Sequence, residues 1–241
     1  MSRVADPSFA FSVVITATDR DVLARAAASV DDLPRYGSGL RWTAAEPTAA
    51  MEETPDLAIT LCDAAADIPK ALRVASIFAS TGCPVIVLTR PGTVTREHRV
   101  DGGLIVAAPT PDVVSGVVTL AHVTLASVHA YALADLDWAD VRTVMAQGSH
   151  GALFDAWTPS PTGTGDEPVA QVLATLIAAT RHGRATGACG VVSLPAVKRF
   201  GSWHALLRGL DGEDRLIAVG LADVDGSRAE TYAGVLVVTQ P

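Results

Sequence analysis

Three aspartates, Asp135, Asp137 and Asp140, follow a run of 22 residues, Val113 to Ala134, that contains no Asp, Glu, Lys or Arg. Carboxylates gathered at the end of an uncharged segment suit two roles. They can form a reactive acidic loop, or they can start a helix, with Asp137 as N-cap and Asp140 three residues on, where a carboxylate favours the helix dipole. A second acidic set, Asp19, Asp21, Asp63 and Asp67, follows the apolar runs FAFSVVITA and DLAITLC. That spacing puts it at the C-terminal ends of strands, where open α/β sheets place ligands; gathered in one pocket, these four would take a cationic or neutral small molecule.

The other chemistry-bearing residues build no independent site. His122 and His129 fall on one helix face, which fits a metal or proton-relay pair or two packed imidazoles. Ser149 and His150 are adjacent without a third orienting group, and Cys189 has no His nearby in sequence. Gly163 and Gly165 precede a helix, yet no strand leads into them and no Lys follows, so a linker is expected. Trp203 and His204 are expected to pack. Cys62, Cys83 and Cys189 show no metal or disulfide spacing and read as buried reduced thiols.

The balance of 18 Lys+Arg against 26 Asp+Glu gives a formal charge of -8, which sets nucleic acid and anionic membranes aside as main partners. The N-terminal apolar run follows Asp6 and Pro7 and is too short for a secretory signal, so a cytoplasmic location is expected. The uncharged run after Asp112 is long enough to cross a bilayer, but it contains Ser115, Gly116, Thr119, His122, Thr124, Ser127 and His129 and has no Lys/Arg cluster at either end. It therefore predicts the buried axle of a soluble α/β protein, with no membrane span.

The elements that must hold these residues alternate. Residues 9–17 predict a buried strand, and Asp19 or Asp21 caps a helix to about residue 30. Strands are predicted over 56–62 and in CPVIVLTRP, joined by a helix that Gly82 ends, as in a right-handed crossover. DGGLIVAAP predicts a fourth strand, and the central helix starts from Asp112. RWTAAEPTAAMEETP supports no assignment. Beyond the aspartates come a short helix over 139–147, a strand over 151–157, an amphipathic helix over 167–182, a strand in GACGVVSLPAV, a helix in GSWHALLRGL, and strands in RLIAVGLADVDG and AETYAGVLVVTQ. The last two, separated by DVDGSR, predict an antiparallel hairpin.

The order of elements and the stretch DLDWADVRTVM, residues 135–145, resemble the FtsZ/tubulin superfamily, FtsZ more closely than tubulin. The stretch is similar to N-x-D-F-A-D-V-[RK]-T-V-M, with Asp135 at the Asn position, Asp137 and Asp140 at the two Asp positions, and Trp138 at the aromatic one. The resemblance implies an α/β fold with a parallel Rossmann-like N-terminal half (9–110), a long central helix (111–134) and a smaller mixed α+β C-terminal half (135–241). It also implies that the acidic loop acts in trans on a neighbouring subunit's nucleotide, polarising the attacking water, with Trp138 and Arg142 at the interface.

The family's glycine-rich phosphate loops are missing. Where G-G-G-T-G-T-G should follow DLAITL the chain reads CDAAADIP, and the first loop is replaced by TATDRD. Only glycine lets successive backbone N–H groups close around phosphates, and Asp19, Asp21, Asp63 and Asp67 would repel them. The resemblance thus implies a pseudo-GTPase without GTP or other cofactor, docking on an FtsZ-like protein or on itself as a filament cap or modulator. Two alternatives stay open: a divergent polymer-forming GTPase, and a stand-alone α/β domain binding a small molecule.

Overall fold

The computed structural model describes residues 11–33, 40–46, 53–93, 95, 97–129, 137–159, 174, 185–193, 216–221 and 230–240. The chain divides into two compact units, Met1–Val118 and Thr119–Pro241. Apart from Ala174, which is helical, the predicted helix over 167–182 lies outside the described residues, as do the predicted helix over 201–210, the end of the predicted central helix at 130–134, Asp135, Gly163, Gly165, Trp203 and His204.

The first unit holds β1 (Phe11–Ala17), α1 (Arg20–Ser29), β2 (Leu40–Ala44), β3 (Leu57–Cys62), α2 (Ile68–Ala79), β4 (Val85–Thr89) and β5 (Gly103–Ala107). The strands pair in the order β2-β1-β3-β4-β5, every neighbour parallel. Every residue of β3 and β4 is buried, which is why they read as unbroken apolar runs. In β2, where the sequence supported no assignment, Leu40 and Trp42 are buried while Arg41 and Thr43 are exposed. Five residues of alternation on an edge strand give too brief a period-two signal to stand out among the Ala, Thr and Pro that follow.

α2 lays Ile68, Ala71, Val74, Ala75 and Phe78 on one face of the sheet, against Val14, Ala58, Cys62, Val85, Val87 and Ile105. Gly82 closes the turn after the helix with φ of 81°, a conformation that a side chain would strain. The following helix, α3 (Val113–His129), begins at Asp112. The Asp112 carboxylate accepts from the Ser115 hydroxyl at 2.6 Å and the Val114 N–H at 3.2 Å and pairs with Arg25 at 3.2 Å. The Ser115 bond is the main reason its carboxyl is held below the usual range. Gly116 lets the first turns of α3 approach closely: a Cβ there would lie 2.9 Å from Ala108 Cβ and 3.3 Å from Leu88 Cδ2.

The second unit holds α4 (Trp138–Met145), β6 (His150–Pro159), β7 (Ala185–Ser193), β8 (Leu216–Leu221) and β9 (Glu230–Thr239). β9 runs antiparallel between β6 and β7, and β8 pairs parallel with β7. The predicted β8–β9 hairpin is therefore wrong, because β7 lies between the two strands. Turn chemistry such as DVDGSR reports only a local reversal. Insertion between β6 and β7 gives β9 a backbone ladder on both edges.

Among the described residues no helix is long and apolar enough to cross a membrane.

Replacing Phe78 with Ala is expected to cost about 3–5 kcal/mol of stability in urea unfolding, by lost transfer and an unfilled cavity. A loss under about 1 kcal/mol would show that α2 does not depend on this contact.

Candidate functional site

In the first unit the strand order reverses between β1 and β3, so the loops at their C-terminal ends flank a switch-point crevice. The chain's own groups bond across this end of the sheet. Asp19 is the N-cap of α1, its Oδ1 accepting the N–H groups of Asp21 at 2.8 Å and Val22 at 3.1 Å. These are the orphan donors that an anion at a helix start would use. Asp21 is exposed in the first turn.

After β3 the chain forms one tight turn of 3-10 helix, Ala65–Asp67, closed by Asp67 N–H to the Ala64 carbonyl at 3.0 Å. Asp67 occupies the N-cap position of α2 without a side-chain capping bond, and Pro69 follows in the first turn with no N–H to offer. Lys70, exposed on α2, donates its Nζ to the Thr18 carbonyl, tying the β3 loop to the β1 loop.

Asp63 does not stand as a free negative charge. Its carboxylate takes a two-pronged bond from Arg90 at the end of β4, Nε to Oδ1 and Nη2 to Oδ2, each 2.6 Å. The carboxylate in turn strengthens the hold of the guanidinium on its proton. The repulsion expected from four carboxylates thus falls to Asp19, Asp21 and Asp67, none of which pairs with a cation among the described residues. Lys70 and Arg90 were missed in sequence, although Arg90 directly follows the CPVIVLT strand and Lys70 opens α2.

In the second unit Asp137 and Asp140 form a capping box on α4. Asp137 Oδ1 accepts the Asp140 N–H at 2.9 Å, and Asp140 Oδ2 accepts the Asp137 N–H at 3.1 Å. Both side chains are exposed, and each keeps a second carboxylate oxygen outside these bonds. Trp138 is half-buried and Arg142 exposed, while Val141, Val144 and Met145 anchor the helix in the core.

The remaining candidates separate. His122 is buried against Tyr232, ring centroids 5.1 Å apart, and the side chain of His129 lies outside the described residues. Ser149 Oγ and His150 Nδ1 share a local hydrogen bond of 3.0 Å. All three cysteines are buried free thiols. Burial raises Cys62 to about 11 and Cys189 to about 12, well away from a reactive thiolate.

The capping box makes a stability prediction of its own. Asp137→Ala should cost about 1 kcal/mol in chemical unfolding, whereas Asp137→Asn should cost only a few tenths, since Asn also caps. Equal losses in the two variants would show that the charge, and not the cap, is what matters to the fold.

No protein-family model matches the sequence, and no curated protein matches it. Solved structures do. An FtsZ variant from M. jannaschii aligns with a TM-score of 0.66 at 12% identity, covering 96% of this chain and 92% of that one. An empty FtsZ dimer from the same organism aligns with a TM-score of 0.64 at 13% identity, covering 95% of this chain and 88% of that one. A GTPγS-bound protofilament of CetZ2 from Haloferax volcanii gives 0.54 at 13%, covering 95% of this chain and 92% of that one. Over nearly its whole length the chain has the α/β fold of FtsZ and CetZ, at identities that speak for the fold alone.

Proposed function

We propose that this chain is a cytoplasmic FtsZ-like protein that neither binds nor hydrolyses GTP in its own crevice and acts through filament-type protein contacts. Its role is to cap or modulate FtsZ-like polymers. The observation that carries the reading is the internal bonding at the β1/β3 switch point. Asp19 takes the first N–H groups of α1, Lys70 is committed to Thr18, and Asp63 is committed to Arg90. A nucleotide there would have to break these contacts and would find no glycine between Cys62 and Pro69 to wrap its phosphates.

The donor side is the Asp137/Asp140 face. Two exposed carboxylates, each with an oxygen to spare, can orient a water or neutralise a cation on a neighbour's nucleotide. The similar structures include an FtsZ dimer and a CetZ2 protofilament, which supports a contact between subunits of this fold. One observation favours the rival reading as a divergent GTPase: Lys70 and Arg90 place two cations at the crevice, and phosphate could draw both from their present partners.

Two measurements test the proposal. Titration with a fluorescent GTP analogue should show no saturable binding, and micromolar saturation would turn the assignment to the rival. Co-sedimentation with FtsZ and GTP should pellet the wild type, while the Asp137→Asn, Asp140→Asn double variant should pellet several-fold less. The Asn substitutions keep the Asp137 cap and remove the charge. Equal pelleting of both proteins, or of neither, would sink the docking role.

A further inference from the structure

The ion pair at the ends of β3 and β4 does more than balance charge. Cys62 and Thr89 are register partners, so Asp63 and Arg90, the residues that follow them, leave the sheet side by side. The backbone is held on both sides of the pair. The Thr89 carbonyl accepts the Ala108 N–H at 2.8 Å, and the Thr89 hydroxyl donates to the Val106 carbonyl at 3.3 Å. The turn after Asp63 is closed by the Asp67 N–H on the Ala64 carbonyl at 3.0 Å. The two side chains therefore meet from strand ends that the sheet has already placed, with little further ordering to offset.

Asp63 presents both of its oxygens to the Nε and Nη2 edge of Arg90, each at 2.6 Å. That edge offers two parallel N–H groups, the arrangement by which arginine grips two oxygens of a phosphate as readily as those of a carboxylate. Solvent reaches it: the Arg90 side chain is 47% exposed, against 21% for Asp63. The charge of Asp112 is also felt at Arg90, but that carboxylate accepts from Ser115 and Val114 and pairs with Arg25. Among the described residues, Asp63 is the carboxylate that fills the fork.

We propose that the Asp63–Arg90 pair is an autoinhibitory contact: Arg90 is a receptor for phosphate oxygens, and the Asp63 carboxylate occupies it from within. The inference rests on the reading that the crevice takes no nucleotide, and it names the side chain that keeps small phosphate anions out. A carboxylate fixed on the neighbouring strand end acts at a high effective concentration, so an outside anion binds only those molecules in which the fork is free. The same carboxylate adds to the repulsion that the anion meets on approach. Removing it lifts both restraints and leaves the guanidinium anchored on β4. A small anion that meets the fork from solvent needs no glycine cradle around it.

The test uses the full chain and inorganic pyrophosphate at low ionic strength, followed by calorimetry and by the nitrogen resonance of Arg90 Nε. The wild type should show no saturable binding at millimolar pyrophosphate, and its Nε resonance should stay in place. Asp63→Ala should bind at least about tenfold more tightly, as the free fraction of Arg90 rises from a tenth or less toward one. The Nε resonance should move in step with that binding, and the Asp63→Ala, Arg90→Gln double variant should lose it. Should Asp63→Ala not fold, Asp63→Asn takes its place, with a gain of several-fold expected because the charge is gone while the amide still accepts from the fork. A folded Asp63 variant that binds no better than the wild type overturns the autoinhibitory contact and leaves the proposed function standing. Binding that survives Arg90→Gln overturns the contact too, because the anion then sits elsewhere. Saturable binding of the fluorescent GTP analogue by the wild type instead overturns the reading on which the inference rests.

Discussion

A parallel sheet brings the C-terminal ends of β1, β3 and β4 to one edge, and the polar groups delivered there must be satisfied by the chain, by water or by a bound molecule. Here the chain supplies partners itself. The Asp63–Arg90 pair joins the ends of β3 and β4, Lys70 joins α2 to the loop after β1, and Asp19 closes the start of α1. Any ligand entering this crevice would exchange existing bonds for new ones, and only the difference would count as affinity. A phosphate would also have to approach the carboxylates of Asp19, Asp21 and Asp67.

The acidic end of the second unit obeys a related economy. Asp137 and Asp140 hold each other's backbone N–H groups, so the loop's shape and its charge reside in the same two side chains. A carboxylate in a capping box is rigid, and a rigid exposed carboxylate suits interaction with a partner's cation or water better than a mobile one. Structural and functional readings of these aspartates are thus compatible. The helix start fixes where the remaining oxygens stand.

α3 shows how an apolar stretch accommodates polar residues. Thr124 bonds back to the Leu120 carbonyl at 2.7 Å, Thr119 bonds to Asp155, and His122 lies against Tyr232. Each buried polar side chain named here meets a defined neighbour, as a protein interior requires. The absence of charge along the helix follows from burial on nearly every side over the described part, since an ion there would lack both water and a counter-charge.

Much of this was written in the sequence, because it depends on local chemistry. The buried strands β1, β3 and β4 announced themselves as apolar runs, Asp19 as a cap, Gly82 as a helix stop, and Asp137 with Asp140 as a helix start. The stretch DLDWADVRTVM with the order of elements was enough to suggest the fold that the solved structures share. The pairings were not legible. Nothing in LRWTA shows that it flanks β1, and nothing in DVDGSR shows that β7 lies between β8 and β9, because neighbours across a sheet are chosen by long-range ladders that leave no local trace. The charge balance of the crevice was hidden for the same reason. Sequence alone determined that Asp63 directly follows the apolar run DLAITLC; only the tertiary fold, by setting the end of β4 beside the end of β3, decided that Arg90, 27 residues further on, pairs with it.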